Sequence, residues 1–152
     1  MRSNCSVVAS MSSASMESVI PDGARSTRRL RFQSMSRHER QAILEDSLQQ
    51  IDDLLEKAAS ISLEQFLNDR NSQAIFERRL EILGEAMRRL ERRDPECFAR
   101  IPGARESIGL RNVISHGYDG IDHRILYSIV RNALPTTRSA ILQELGRSTE
   151  RG

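Results

Sequence analysis

NSQAIFERRLEILGEAMRRLERR, residues 71–93, decides the fold. Phe76, Leu80, Leu83, Met87 and Leu90 alternate steps of four and three, and Ile75, Ile82 and Ala86 widen the stripe. At about 100° per residue this spacing gathers the apolar side chains on one face of an α-helix. A strand needs alternation by two, which the stretch lacks. Asn71 or Ser72 is the expected N-cap, and Asp94-Pro95 is the expected stop. Gly84 lies within the helix, where glycine costs ~1 kcal/mol relative to alanine. A glycine there points to another backbone packing close by. Arg88, Arg89, Arg92 and Arg93 crowd the end of the helix, where cations favour the negative pole of its dipole. A solvated helix end explains them at least as well as an RNA patch.

Working outward, the N-terminal side predicts a helix from about Arg37 to Ala59. Its stripe is Ile43, Leu44, Leu48, Ile51, Leu54, Leu55 and Ala58. Ser60-Ile-Ser62 breaks the pattern, and Ser62 caps a short helix through Gln65-Phe66-Leu67 that ends by Asp69. On the C-terminal side, residues 95–104 form a connector with Pro95, Pro102 and Gly103. A helix follows from Ala104 to Ser115 or His116, with Gly117 supplying the left-handed residue that ends helices. Asp119-Gly120 makes a turn and Asp122 caps a last helix through Ile125, Leu126, Ile129, Val130 and Leu134. Pro135 kinks or restarts it before Ile141, Leu142 and Leu145. No sheet and no internal repeat is evident. The fold class is therefore all-α, an antiparallel helical bundle over residues 37–146.

Composition agrees. Of 152 residues, 38% are apolar and 29% charged, with few aromatics and no Trp. Residues 1–36 are Ser-rich, carry the turn signal Pro21-Asp22-Gly23 and lack lasting periodicity, so they read as a disordered N-terminal extension. An Arg- and Ser-rich transit peptide is a weaker reading of that segment than a start at Met35, directly ahead of the folded pattern. Residues 147–152 read as a flexible tail. Residues 37–146 hold sixteen Arg or Lys against eighteen Asp or Glu, a net of −2, so any RNA contact must be local. Two cysteines, Cys5 and Cys97, make no disulfide framework, which suits a reducing cytoplasm. No apolar run approaches the ~18 residues of a membrane span.

Chemistry concentrates in Gly109-Leu-Arg-Asn-Val-Ile-Ser-His-Gly-Tyr118. Arg111 only donates, in a planar fork that fits phosphate oxygens. His116 carries the one side-chain type that ordinarily titrates near neutrality. A cation and a neutral-pH base suffice to break a phosphodiester without a metal. On an unbroken helix five residues turn through about 140°, so the two side chains diverge. They converge on one phosphate only at a helix end, or with a second chain at a symmetric interface. The reaction that fits is RNA cleavage by the substrate's own 2′-hydroxyl, with Asn112 and Ser115 as supporting groups and Tyr118 able to face the same cleft. Taken alone, the spacing also suits a structural histidine, with Arg111 in an ion pair to Glu85 or Glu106.

The same stretch, followed by Ile121-Asp122, resembles the HepT-like toxin ribonucleases of the HEPN superfamily, whose signature is Arg, four residues, His, one residue, Tyr. The resemblance extends to Phe66-x-x-Asp69, Leu83-Gly-Glu-Ala86, Ile101-Pro102 and Leu134-Pro135, and covers about residues 37–146. It implies a HEPN-like bundle that dimerises with its motifs face to face, and a metal-independent RNA endonuclease with Arg111 and His116 as the catalytic pair and no cofactor. It also implies a toxin–antitoxin pair with a MntA-like nucleotidyltransferase antitoxin that transfers AMP to Tyr118. A bulky anionic adduct there would repel RNA phosphate. One departure is Gly103, where the family often has Trp after Ile-Pro, so the connector is expected to pack differently.

Two other readings compete. One is a non-catalytic helical partner, or substrate-binding subunit, of a nucleotidyltransferase; it has no need of both Arg111 and His116. The other is a metal site from His38, His116 and His123, which share no ligand spacing; His38 and His123 read as surface histidines. Arg124, Arg131 and Arg138 recur every seven residues and could track an RNA backbone, although a solvated face fits the low net charge better.

Overall fold

The computed structural model describes residues 35–117 and 120–150. Most of the expected N-terminal extension, Tyr118, and the Asp119 half of the Asp119-Gly120 turn lie outside the described residues. Among those described there is no strand, and the fold is an all-α bundle. Seven α-helices follow in order: α1 (Arg37–Ser60), α2 (Leu63–Asn68), α3 (Arg70–Arg93), α4 (Pro95–Ala99), α5 (Ala104–His116), α6 (His123–Ser128) and α7 (Leu134–Glu150). A π-helical turn, Ile129–Ala133, joins α6 to α7.

The 24-residue helices α1 and α3 run antiparallel, each about 36 Å long at 1.5 Å per residue. Arg40 pairs with Asp94 at 2.8 Å and Arg79 with Asp53 at 2.5 Å, which fixes their register. Leu44, Ile51 and Leu54 of α1 meet Phe76, Leu83, Met87 and Leu90 of α3, all fully buried. Each such side chain contributes about 1.5–3 kcal/mol on leaving water. The π-helical turn and α7 return antiparallel along α1: Arg131 of the turn donates to the Ala58 carbonyl at 3.1 Å, and Arg138 of α7 binds Asp52. Two arginines of the seven-residue series thus serve this seam, and the series forms no open rail for RNA.

Several boundaries differ from expectation, each for a local reason. Ser36 and Glu39 form a capping box at the start of α1, and Met35 packs against the core, so the folded unit begins before residue 37. Asp69, not Asn71 or Ser72, caps α3: it accepts from the Asn71 amide at 3.0 Å and from the Ser72 hydroxyl. The Ser72 bond holds its carboxyl below the usual range. Asp94-Pro95 ends α3 and at once begins α4 within the expected connector. The Asp94 side chain accepts from the Cys97 amide at 3.0 Å, and Pro95 takes the first helical position, where a missing N–H costs nothing. As expected, the helix restarts at Pro135: α7 begins at Leu134, after the π-helical turn. The preceding turn widens so that the Leu134 amide reaches the Ile129 carbonyl, relieving the ring's clash one turn back. α7 continues through Glu150, so residues 147–150 are helical rather than tail. His123 is not a surface histidine: its Nε2 lies 2.7 Å from a Glu77 carboxylate oxygen, and its ring stands edge-on to Phe66.

Gly103 takes a backbone conformation that favours glycine. It adopts φ +81, and a Cβ there would lie 2.6 Å from the Thr137 hydroxyl. That hydroxyl donates to the Pro102 carbonyl at 2.9 Å, pinning the start of α5 to α7.

Candidate active site

α5 carries the motif, and its seat is α3. The two run antiparallel: Arg105 pairs with Glu91 near one end, and Ser115 Oγ donates to Glu81 at 3.0 Å near the other. Between these pairs the backbones close in at Gly84. A Cβ on Gly84 would lie 2.4 Å from Arg111 Cβ and 2.5 Å from the Ser107 carbonyl oxygen. The glycine in the middle of the strongest helix is therefore the socket into which the stem of Arg111 fits.

Arg111 is half-buried, with its guanidinium held on two sides. Nη2 lies 3.5 Å from a Glu85 carboxylate oxygen, and Nη1 donates to the Asn112 side-chain oxygen at 3.2 Å. Of the two ion-pair partners open to it, Glu85 is the one it meets. His116 is exposed in the last turn of α5, its Nδ1 3.0 Å from the Asn112 carbonyl oxygen. A carbonyl only accepts, so Nδ1 carries the hydrogen and the neutral ring presents Nε2 as a free acceptor. Asn112 thus touches both members of the pair, Arg111 through its side chain and His116 through its backbone.

The helix runs unbroken from Arg111 through His116, so the two side chains do diverge. They share a wide, shallow concavity of about 660 Å³ whose walls also include Arg88, Asn112, Val113 and Gly117. Gly117 ends α5 with φ −75 rather than in the left-handed region. Its role is closeness: a Cβ there would lie 2.7 Å from the Val113 carbonyl oxygen. Ser115 points elsewhere, into a neighbouring hollow of about 310 Å³ with Glu81, Glu85, Arg78 and Arg89; Arg111 borders both spaces. Arg111, Asn112 and His116 are brought together, Ser115 is set apart, and Tyr118 lies outside the described residues.

Among the described residues, the other reactive group and the apolar cleft lie away from this site. The Cys97 thiol is buried in the core, and burial, reinforced by Glu144 and Asp94, pushes it up to about 12, so it is no nucleophile near neutrality. An apolar cleft of about 450 Å³ between α5 and the π-helical turn holds none of Arg111, Asn112, Ser115 or His116. Among the described residues no three His, Cys, Asp or Glu side chains gather as a metal set, and no helix is long and apolar enough to cross a membrane. Sequence reasoning offered Glu85 as one of two ion-pair partners of Arg111, and Arg88 only as one of four arginines at the end of α3, without singling either out. Their signal was position: Glu85 follows the socket glycine, and Arg88 is one turn beyond it.

Comparison with known proteins agrees with this geometry. Residues 44–144 match the family described as ribonuclease HepT-like. A protein of Methanocaldococcus jannaschii, provisionally named an RNase, is 34% identical over 107 residues, 70% of this chain and 97% of its own length. Another provisionally named RNase, from Caldanaerobacter subterraneus, is 31% identical over 67% of this chain and 90% of its own. A protein of Thermococcus cleftensis, provisionally named ribonuclease HepT, is 33% identical over 62% of this chain and 86% of its own. Bundle, motif and relatives converge, and the chain belongs to the ribonuclease HepT-like family.

Proposed function

We propose that this protein is the toxin of a toxin–antitoxin pair, a metal-independent RNA endonuclease silenced by AMP transfer to Tyr118 from a nucleotidyltransferase antitoxin. The observation that carries the catalytic part is the Asn112 bridge. It holds the His116 hydrogen on Nδ1 and leaves Nε2 free at the concavity that Arg111 borders. In the reaction, Nε2 of neutral His116 takes the proton of the RNA 2′-hydroxyl. That oxygen attacks the adjacent phosphorus and the bond to the 5′-oxygen breaks, leaving a 2′,3′-cyclic phosphate and a 5′-hydroxyl. Protonated imidazole returns a proton to the leaving oxygen, and the Arg111 guanidinium stabilises the charge that builds on the phosphorane. DNA lacks the attacking group.

The divergence of Arg111 and His116 on one helix supports a homodimer in which two motifs face each other across the scissile phosphate. The outer face of α5 suits such docking. Val113 is 57% exposed there, and a Cβ on Gly109 would meet nothing within 4 Å. Purified protein is expected to cleave single-stranded RNA in EDTA. His116→Ala and Arg111→Ala are each expected to lower the rate by at least about 100-fold, the scale of losing a positioned base or charge stabiliser. Unchanged cleavage by both variants would reject the assignment, and no cleavage by the wild type would favour a non-catalytic partner of a nucleotidyltransferase. With antitoxin and ATP, intact-mass measurement is expected to show one AMP adduct that disappears in Tyr118→Phe.

A further inference from the structure

We propose that Arg88 of α3 is a substrate-positioning residue that grips an RNA phosphate next to the one being cleaved; this rests on the ribonuclease reading of the site above. Three observations meet on it. First, Arg88 lies one turn beyond Gly84, on the face of α3 where α5 crosses. Helical side chains lean toward the N-terminus of their helix. The stem of Arg88 therefore leans back toward the crossing, and its side chain forms part of the wall that Arg111, Asn112 and His116 share. Second, the charge of Arg111 is largely engaged, by the Glu85 carboxylate at 3.5 Å and the Asn112 oxygen at 3.2 Å. One arginine beside one carboxylate leaves little net field to hold a polyanion. Third, Arg88 is exposed and makes no hydrogen bond or ion pair among the described residues, whereas Arg78, Arg79 and Arg93 of the same helix are each paired with a carboxylate. The cation free to meet an incoming phosphate in this concavity is Arg88.

A contact with a neighbouring phosphate changes little between ground and transition states, so it acts on substrate binding rather than on the chemical step. It is also electrostatic, so its loss removes part of the salt dependence of binding. That separates Arg88 from Arg111 and His116, whose loss falls on the chemical step.

The test compares the full-length wild type, Arg88→Ala and Arg92→Ala, the last losing the same charge from an exposed position on α3 that does not line the concavity. Cleavage kinetics on single-stranded RNA are measured beside binding of a 2′-O-methyl RNA, which cannot be cut by its own hydroxyl. Arg88→Ala is expected to raise KM and weaken binding about tenfold, with kcat within about threefold of wild type. The slope of log affinity against log salt is expected to fall by about 0.7, the value for one single-strand phosphate contact. Arg92→Ala is expected to match wild type in all four. Equal binding by Arg88→Ala and wild type, or equal losses in both variants, overturns the proposal, as does a kcat loss with binding unchanged. Should the wild type bind but not cleave, the ribonuclease reading fails, and the binding arm still decides for or against the Arg88 contact.

Discussion

Glycine at position 84 carries more of the site than its lack of a side chain suggests. Gly84→Ala would add about 1 kcal/mol of helix propensity. It would also force a methyl group to 2.5 Å from the Ser107 carbonyl oxygen, a backbone atom that moves only if α5 moves. Overpacking of this kind costs about 1–3 kcal/mol, so the expected net effect is destabilisation by up to about 2 kcal/mol, measured by urea unfolding. The same shift displaces Arg111, and RNA cleavage is expected to fall further than stability does. Gly146→Ala, on an exposed part of α7 with open space around it, has only the propensity term and should stabilise by up to about 1 kcal/mol. At this scale the sequence was readable where chemistry is local. Arg111 and His116 stand out by type, and Gly84 by its cost within a helix. Where Ser115 points was not readable, because spacing does not say which flank of α5 faces Glu81. Arg88 was lost among its neighbours because only the crossing of two helices singles it out.

Helices and their ends were legible wherever one strong stripe or cap decided them, and less so where a residue serves two elements. Asp94 is such a residue. Its amide donates to the Leu90 carbonyl at the end of α3, its side chain caps α4 through the Cys97 amide, and its carboxylate meets Arg40 at 2.8 Å. The Asp-Pro pair reads as a stop, because the five-residue α4 has too few positions to show a period. Asp94→Ala removes cap and ion pair together and is expected to cost about 1–2 kcal/mol, the scale of a lost N-cap. Asp94→Asn keeps an acceptor for the Cys97 amide and loses only the charge of a part-buried pair, so it should cost less than Asp94→Ala. Urea midpoints of the two variants separate the two roles, and equal losses would mean that the ion pair dominates. The π-helical turn before Pro135 belongs to the same class: a sequence pattern marks the proline, but not how the backbone ahead of it yields.

For the whole molecule, the stripes of α1, α3 and the last helix were enough to give an all-α bundle, whereas the ties between distant elements were not foreseeable, because each joins residues far apart in the chain. The clearest tie is Glu144, 6% exposed in side-chain terms. It accepts from Arg100 through both oxygens, at 2.9 and 2.8 Å, and from Arg147 at 2.6 Å, joining α7 to the segment after α4. These bonds, Arg100 first, hold its carboxyl below the usual range. The sign of the pH effect follows. In the unfolded chain a glutamate titrates near 4.3. Because the folded value is lower, the carboxylate stabilises the fold fully above that pH, and the contribution fades as pH falls through the folded value. Glu144→Gln keeps the shape but leaves two guanidiniums without their anion, and is expected to cost about 1–3 kcal/mol at pH 7. The gap between wild type and variant, followed by urea unfolding from pH 7 downward, should hold steady to about pH 5 and then close. A gap that stays constant into strong acid would mean that packing around residue 144, and not its charge, fastens α7 to the bundle.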